Sequence, residues 1–220
     1  MRYITLTSLL ITFLSVAPVY AESSSDVAFD KATRDLIKSG DPAKGKTLIK
    51  KCTKCHSENG IAEDPEDPNI AGQSANYMFK QMMDYKNNKR DNKAMRKRVR
   101  KLDAQTMAHI SAWYASLPAP PAMGKTSAAM EKLVFKGDPT RMLKPCATCH
   151  GRKGEGGKYD SARLTGMSRD YFVTTMTEFK EGDRENDIYS RMRTVAEVLT
   201  EEEIEALADY YSAEPPPEEE

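Results

Sequence analysis

Two copies of one short motif constrain this chain more than any other feature. CTKCH occupies residues 52–56 and CATCH occupies residues 146–150, and together they contain all four cysteines of the 220-residue sequence. In a helical turn, residues three and four apart lie on one face, so the two thiols and the imidazole of each motif can all contact one flat ligand. C-x-x-C-H is the attachment pattern of c-type haem. The sequence therefore predicts two covalently bound haem c groups.

Each motif supplies two kinds of group, thiols that anchor the porphyrin and an imidazole that reaches the iron. A redox-active dithiol would instead call for a βαβ context, which is absent from this sequence. A zinc site with one motif per domain lacks a fourth ligand of the right type. The predicted covalent anchors are Cys52, Cys55, Cys146 and Cys149, and the predicted proximal iron ligands are His56 and His150.

The motifs belong to a longer internal repeat. A shift of 94 positions superposes the two motifs and also carries Gly166, Tyr171 and Arg184 onto Gly72, Tyr77 and Arg90. Further along the chain the shift becomes 97, and it then aligns the ends of the two copies. The sequence predicts two tandem units of about 90 residues.

Composition sets the domain limits. Residues 1–21 have an early cation, an apolar run and a small-residue cleavage site, which is the pattern of a secretory signal peptide. The first domain is predicted over 22–117, a proline-rich linker over 118–130, the second domain over 131–213 and an acidic disordered tail over 214–220. Helical spacing recurs at the end of each copy and no run shows the alternation of a strand, so the predicted fold is all-α.

The sixth iron ligand is predicted to be methionine, because two of the three histidines are already assigned. Met95 and Met192 coincide under the shift of 97 that superposes the following helix. Met82 and Met176 coincide under the shift of 94 and are the rival pair, although their helical surroundings favour a core role. The third histidine, His109, has an alanine as its counterpart and is predicted not to bind iron.

Charge is divided unequally between the two copies. After residue 21, the chain has 18 basic and 13 acidic side chains up to residue 121, and 14 basic and 20 acidic side chains beyond it. The stretch from Lys86 to Lys101 holds nine basic residues in sixteen and encloses Met95. It is predicted to dock an acidic redox protein and not nucleic acid. The basic first half also predicts that the first haem is the easier to reduce.

Several longer stretches resemble the dihaem cytochrome c4 family. They are GDPAKGKTLIKKCTKCH, NIAGQSANYMFKQM and MRKRVRKLDAQTMAHISAWYASL in the first copy, and MRTVAEVLTEEEIEALADYY in the second. The resemblance implies two tandem class I cytochrome c domains in the periplasm, related by a pseudo-twofold axis. It further implies a monomeric electron carrier, not an enzyme, that passes single electrons from a respiratory donor to a terminal oxidase and can be peripheral to membrane respiratory complexes.

Two other functions remain open at this stage. The segment EFKEGDRENDIYSRM resembles the cytochrome subunit of flavocytochrome c sulfide dehydrogenase, which would make the chain a bound subunit of a dehydrogenase. A dihaem redox enzyme is the third possibility. A peroxidase would need further histidine ligation, and thiosulfate-oxidising dihaem enzymes use a fifth cysteine that this chain lacks.

Overall fold

The computed structural model describes residues 23–122, 124 and 127–213. The predicted signal peptide, 1–21, and the predicted acidic tail, 214–220, lie outside the described residues. Over the described ranges the α-helices are α1 Lys31–Lys38, α2 Pro42–Leu48, α3 Thr53–His56, α4 Ala75–Lys86, α5 Lys93–Val99, α6 Ala104–Ser116, α7 Ala128–Lys136, α8 Cys146–His150, α9 Arg169–Glu181, α10 Arg191–Val198 and α11 Glu201–Tyr211.

The all-α prediction is confirmed. In the described part of the chain, β pairing is limited to the isolated bridges Asp138–Leu143 and Met167–Ser212. None of the helices described is long and apolar enough to cross a membrane.

Two separate cores follow from the two sequence copies. Helices α1 to α6 enclose the first core and α7 to α11 enclose the second. The last helix of each copy begins as its capping residues predict: Asp103 accepts a hydrogen bond from the Thr106 amide, and Thr200 forms a capping box with Glu203. Helical periodicity thus identified the elements that carry much of each core.

The repeat is also visible in backbone hydrogen bonds. The amide of Gly72 donates to the Tyr114 carbonyl at 2.9 Å, and the amide of Gly166 donates to the Tyr211 carbonyl at 2.8 Å. Both glycines have positive φ, a conformation that glycine adopts without steric cost. The two domains therefore use the same turn to join the motif loop to the last helix.

The copies differ where they begin. Gly45 of α2 lies against α6 so closely that an added Cβ would be 2.1 Å from the His109 carbonyl oxygen. The position seven residues before the second motif is Pro139, which lies in a short 3₁₀ helix. Because α7 begins at Ala128 and buries Met130, the last three residues of the predicted linker belong to the second domain.

The two domains meet through a reciprocal pair of contacts. Arg184 donates to the Tyr77 hydroxyl at 3.2 Å, and its repeat equivalent Arg90 donates to the Tyr171 hydroxyl at 2.9 Å. Gln81 lies between the two arginines and accepts a hydrogen bond from each. Both guanidinium groups are buried, so the interface has a polar centre organised by pseudo-twofold symmetry.

Candidate haem-binding sites

Each C-x-x-C-H motif forms a short helix that fixes its histidine. The Nδ1–H of His56 donates to the Pro68 carbonyl at 3.1 Å, and the Nδ1–H of His150 donates to the Ala162 carbonyl at 2.8 Å. A carbonyl only accepts, so Nε2 is the unprotonated nitrogen of each ring and is available as a ligand. Burial lowers the pKa of both histidines, which also favours the neutral, ligating form.

The thiols do not have the properties of a redox pair. All four cysteines are free; Cys52 and Cys146 are partly buried, whereas Cys55 and Cys149 are exposed. Burial raises the pKa of Cys52 and of Cys146 to about 11. Redox-active cysteines have lowered thiol pKa values, so this environment disfavours a catalytic dithiol.

A cavity of about 320 Å³ in the second domain brings the predicted ligand groups together. Its wall includes Cys146, Cys149, His150 and Met192, with apolar surface from α9 and α11. That combination of two thiols, an imidazole and a thioether around an apolar space suits a large flat porphyrin bound to iron.

Two unpaired polar atoms on the same wall support this fit. Arg184 Nη1 and the Tyr211 hydroxyl are buried and have no hydrogen-bond partner among the described residues. Unpaired buried donors are costly, so they point to an acceptor that occupies the cavity. The anionic carboxylates of a haem group provide such an acceptor, and the residues therefore fit haem c.

The methionines occupy corresponding positions at the starts of two helices. The Met95 amide donates to Asn92 Oδ1 at 2.9 Å in the first turn of α5, and the Met192 amide donates to Asp187 Oδ2 at 2.9 Å in the first turn of α10. Both side chains are half-buried. Both methionines therefore lie in short helices, α5 and α10, that precede the last helix of their domain.

The rival methionines are placed differently. Met82 and Met176 are buried within α4 and α9 and belong to the two hydrophobic cores. Met176 also lies on the cavity wall with Met192. The structure thus places both candidate methionines of the second domain on the cavity wall.

His109 has a structural environment that its lone position in the sequence did not reveal. Its Nδ1 accepts a hydrogen bond from the Asp41 amide at 2.8 Å, and Asp41 is the N-cap of α2. His109 therefore links α6 to the start of α2.

Sequence reasoning missed the contribution of the first domain to the second cavity. Tyr77, Lys80 and Gln81 of α4 all lie on that cavity's wall. Lys80 is only 1% exposed, and its ammonium group donates to Asp84 and to the Asn186 carbonyl, each at 2.6 Å. The sequence signal for this contact is Lys80 followed four residues later by Asp84, a spacing that places the two side chains on one face of a helix.

The basic segment is less uniform than its sequence suggests. Arg90 is buried at the domain interface and takes no part in an external surface, which corrects that part of the prediction. Lys86 donates to the Leu102 carbonyl at 2.6 Å. Arg98 lies near the first motif, where its positive charge opposes the rise in the pKa of Cys52 and of Cys55. The exposed cations of this segment are Lys93, Lys97, Arg100 and Lys101.

Comparison with known proteins places these features in a family. The family model described as cytochrome c matches residues 42–118. Cytochrome c4 of Thiocapsa roseopersicina is 32% identical over 78% of this chain and 91% of its own length. A protein named thiosulfate dehydrogenase electron acceptor from Stutzerimonas stutzeri is 28% identical over 73% of this chain and 77% of its own length.

A solved structure agrees with the sequence relatives. The crystal structure of reduced recombinant cytochrome c4 from Pseudomonas stutzeri superposes with a TM-score of 0.73 at 29% identity, covering 80% of this chain and 99% of that one. The match spans both repeats, and each repeat has the class I cytochrome c fold. This chain therefore belongs to the cytochrome c4 family of electron-carrying c-type cytochromes.

Proposed function

We propose that this protein is a periplasmic electron carrier with two haem c groups, which shuttles single electrons from a respiratory donor to a terminal oxidase or another acceptor. The observation that carries the proposal is the cavity whose wall combines Cys146, Cys149, His150 and Met192. When bound, haem c supplies reversible one-electron exchange at its iron.

The roles of the protein's residues follow from their surroundings. Cys52 and Cys55, with Cys146 and Cys149, would hold the two groups covalently. The Pro68 and Ala162 carbonyls orient the proximal imidazoles of His56 and His150. Met95 and Met192 would close the sixth position, which excludes external ligands and favours electron transfer over catalysis.

The first experiment counts haem and tests ligation in the holo-protein. Expression with a haem-attachment system should give two haems per chain, a methionine-to-iron charge-transfer band, and no carbon monoxide binding on reduction.

Met95→Ala and Met192→Ala should each remove about half of that band and admit carbon monoxide. The matched controls Met82→Ala and Met176→Ala should keep the band, although they are expected to lower stability. Loss of the band in the controls, with its retention in the first pair, would reverse the ligand assignment.

The signal peptide is tested by the mature terminus. Cells that express the full chain should yield a periplasmic protein that begins at Glu22. An uncleaved chain in the membrane fraction would contradict this part of the proposal.

An acidic partner is proposed to dock on the exposed cations of α5 and the turn that follows it. Lys93→Glu/Lys97→Glu should slow electron transfer to such a partner and weaken the dependence of its rate on salt. The control Lys132→Glu/Lys136→Glu makes the same change in net charge on exposed residues of α7. Equal slowing by both double variants would mean that net charge, and not this surface, governs the encounter.

A second candidate role is electron acceptor for a thiosulfate-oxidising enzyme. The observation that favours it is the likeness to the Stutzerimonas stutzeri acceptor over most of both chains. Mixing the oxidised holo-protein with a thiosulfate dehydrogenase and thiosulfate should then reduce both haems within the enzyme's turnover time. Failure to be reduced, with retained reduction by a quinol-oxidising complex, would favour the respiratory role.

A further inference from the structure

The wall of the second domain's cavity carries a charge that comes from the other domain. Lys80 belongs to α4 of the first domain, yet it lies on that wall and is 1% exposed. Asp84, its ion-pair partner at 2.6 Å, is not among the residues that line the cavity. Lys80 is therefore the member of the pair that borders the cavity, and its ammonium group donates to the carbonyl of Asn186, another residue of the wall, at 2.6 Å.

The other charged side chains on the wall are Asp160, Asp187, Arg191, Arg184 and Lys144. Asp160 pairs with Arg191 at 2.8 Å, and Asp187 pairs with Arg193 at 2.9 Å. Arg184 also lies on the wall, and its hydrogen-bond partners Tyr77, Gln81 and Asn186 are all neutral. Lys80 and Arg184 are the buried cations of the wall, whereas Lys144 and Arg191 are exposed, so that solvent screens their charge.

Of these two buried cations, Arg184 has a charged equivalent in the other domain and Lys80 does not. Arg184 has Arg90 as its equivalent, and each arginine bonds to a tyrosine of the opposite domain. The equivalent of Lys80 is Thr174, which is exposed and uncharged. The second domain therefore has no cation at the position that corresponds to Lys80.

We propose that Lys80 raises the reduction potential of the haem in the second domain, so that one domain sets the potential of the other. A positive charge at the wall of a low-dielectric cavity favours the reduced state, since reduction adds a negative charge. The effect opposes the acidic composition of the second domain, from which we expected the first haem to be the easier to reduce. The inference rests on the proposed function, because it needs a haem in this cavity.

The test is a redox titration of the holo-protein in which the two haems are followed separately, for example by their haem methyl resonances in NMR. Met192→His, which would change ligation only at the second haem, assigns the signals. Lys80→Met should lower the equilibrium constant for reducing the second haem about tenfold, equivalent to about 59 mV for one electron, and should leave the first haem nearly unchanged. Lys80→Arg should restore the wild-type value. The control Lys44→Met removes an exposed lysine of the first domain and should shift neither haem.

Two further variants keep the test decisive if Lys80→Met folds poorly with an unpaired Asp84. Lys80→Met/Asp84→Asn removes both charges of the pair and should still lower the second potential. Asp84→Asn alone should raise it. An unchanged second potential in correctly folded variants, or equal shifts of both haems, would overturn the inference. A protein without haem in the second domain would instead overturn the proposed function, and haem quantification distinguishes the two failures.

Discussion

Gln81 offers the sharpest test of how the two domains are held together. Its side-chain oxygen accepts hydrogen bonds from Arg90 at 2.8 Å, Arg184 at 3.1 Å and Asn186 at 3.0 Å. All three donors are buried. Gln81→Leu keeps a similar volume but removes the shared acceptor, so three donors lose a partner in a place that water cannot easily reach.

The expected magnitude follows from the kinds of bond lost. A hydrogen bond to a charged group contributes about 1.5–3 kcal/mol and a neutral one about 1 kcal/mol. Two of the three donors are guanidinium groups, and each retains a bond to a tyrosine hydroxyl. The lower end of the range therefore applies, and the free energy of unfolding should fall by about 4 kcal/mol.

Guanidinium chloride denaturation of the holo-protein measures this loss, with the signals of both haem regions followed in parallel. Weaker docking should also separate the unfolding of the two domains into distinct transitions. The matched control is Gln105→Leu, since Gln105 is exposed and donates to Ser39 Oγ at 3.1 Å. A loss of less than about 1 kcal/mol, or one equal to that of the control, would refute the view that Gln81 organises the interface.

Three more outcomes are expected. Gly45→Ala should lower the free energy of unfolding by about 1–3 kcal/mol, because its Cβ would lie 2.1 Å from the His109 carbonyl oxygen; Lys44→Ala on the same helix should change it by less than about 0.5 kcal/mol in the same denaturation assay. His109→Ala should leave the optical spectrum of the haems unchanged and cost about 1 kcal/mol of stability, since the Asp41 amide loses its acceptor; a changed charge-transfer band would contradict this. Thr140 and Arg141 lower the pKa of Asp138 to about 2, and Arg141 lowers the pKa of Glu203 below its usual 4.5. The folded state then binds fewer protons than the unfolded state in this range, so stability should fall as the pH drops from about 4.5 to about 2, and a pH series of Arg141→Met should show a shallower fall.

Much of the architecture was readable from local sequence because the relevant signals are local. The motif spacing within one helical turn predicted which side chains share a site, and the structure places Cys146, Cys149 and His150 on one cavity wall. The capping residues Asp103 and Thr200 marked the last helix of each copy. The repeat predicted two similar domains, because equivalent residues make equivalent contacts in both.

Tertiary structure decided what depends on packing between distant segments. Arg90 reads as one more cation in a basic run, yet it is buried against Tyr171, 81 positions away. Lys80 lies within a helix of the first domain, but its ammonium group contacts Asn186, 106 positions away, on the wall of the second cavity. Composition assigned positive charge to the first domain as a whole. Only the packing of α4 against the second domain showed where that charge acts, because electrostatic effects depend on distance and burial and not on position in the chain.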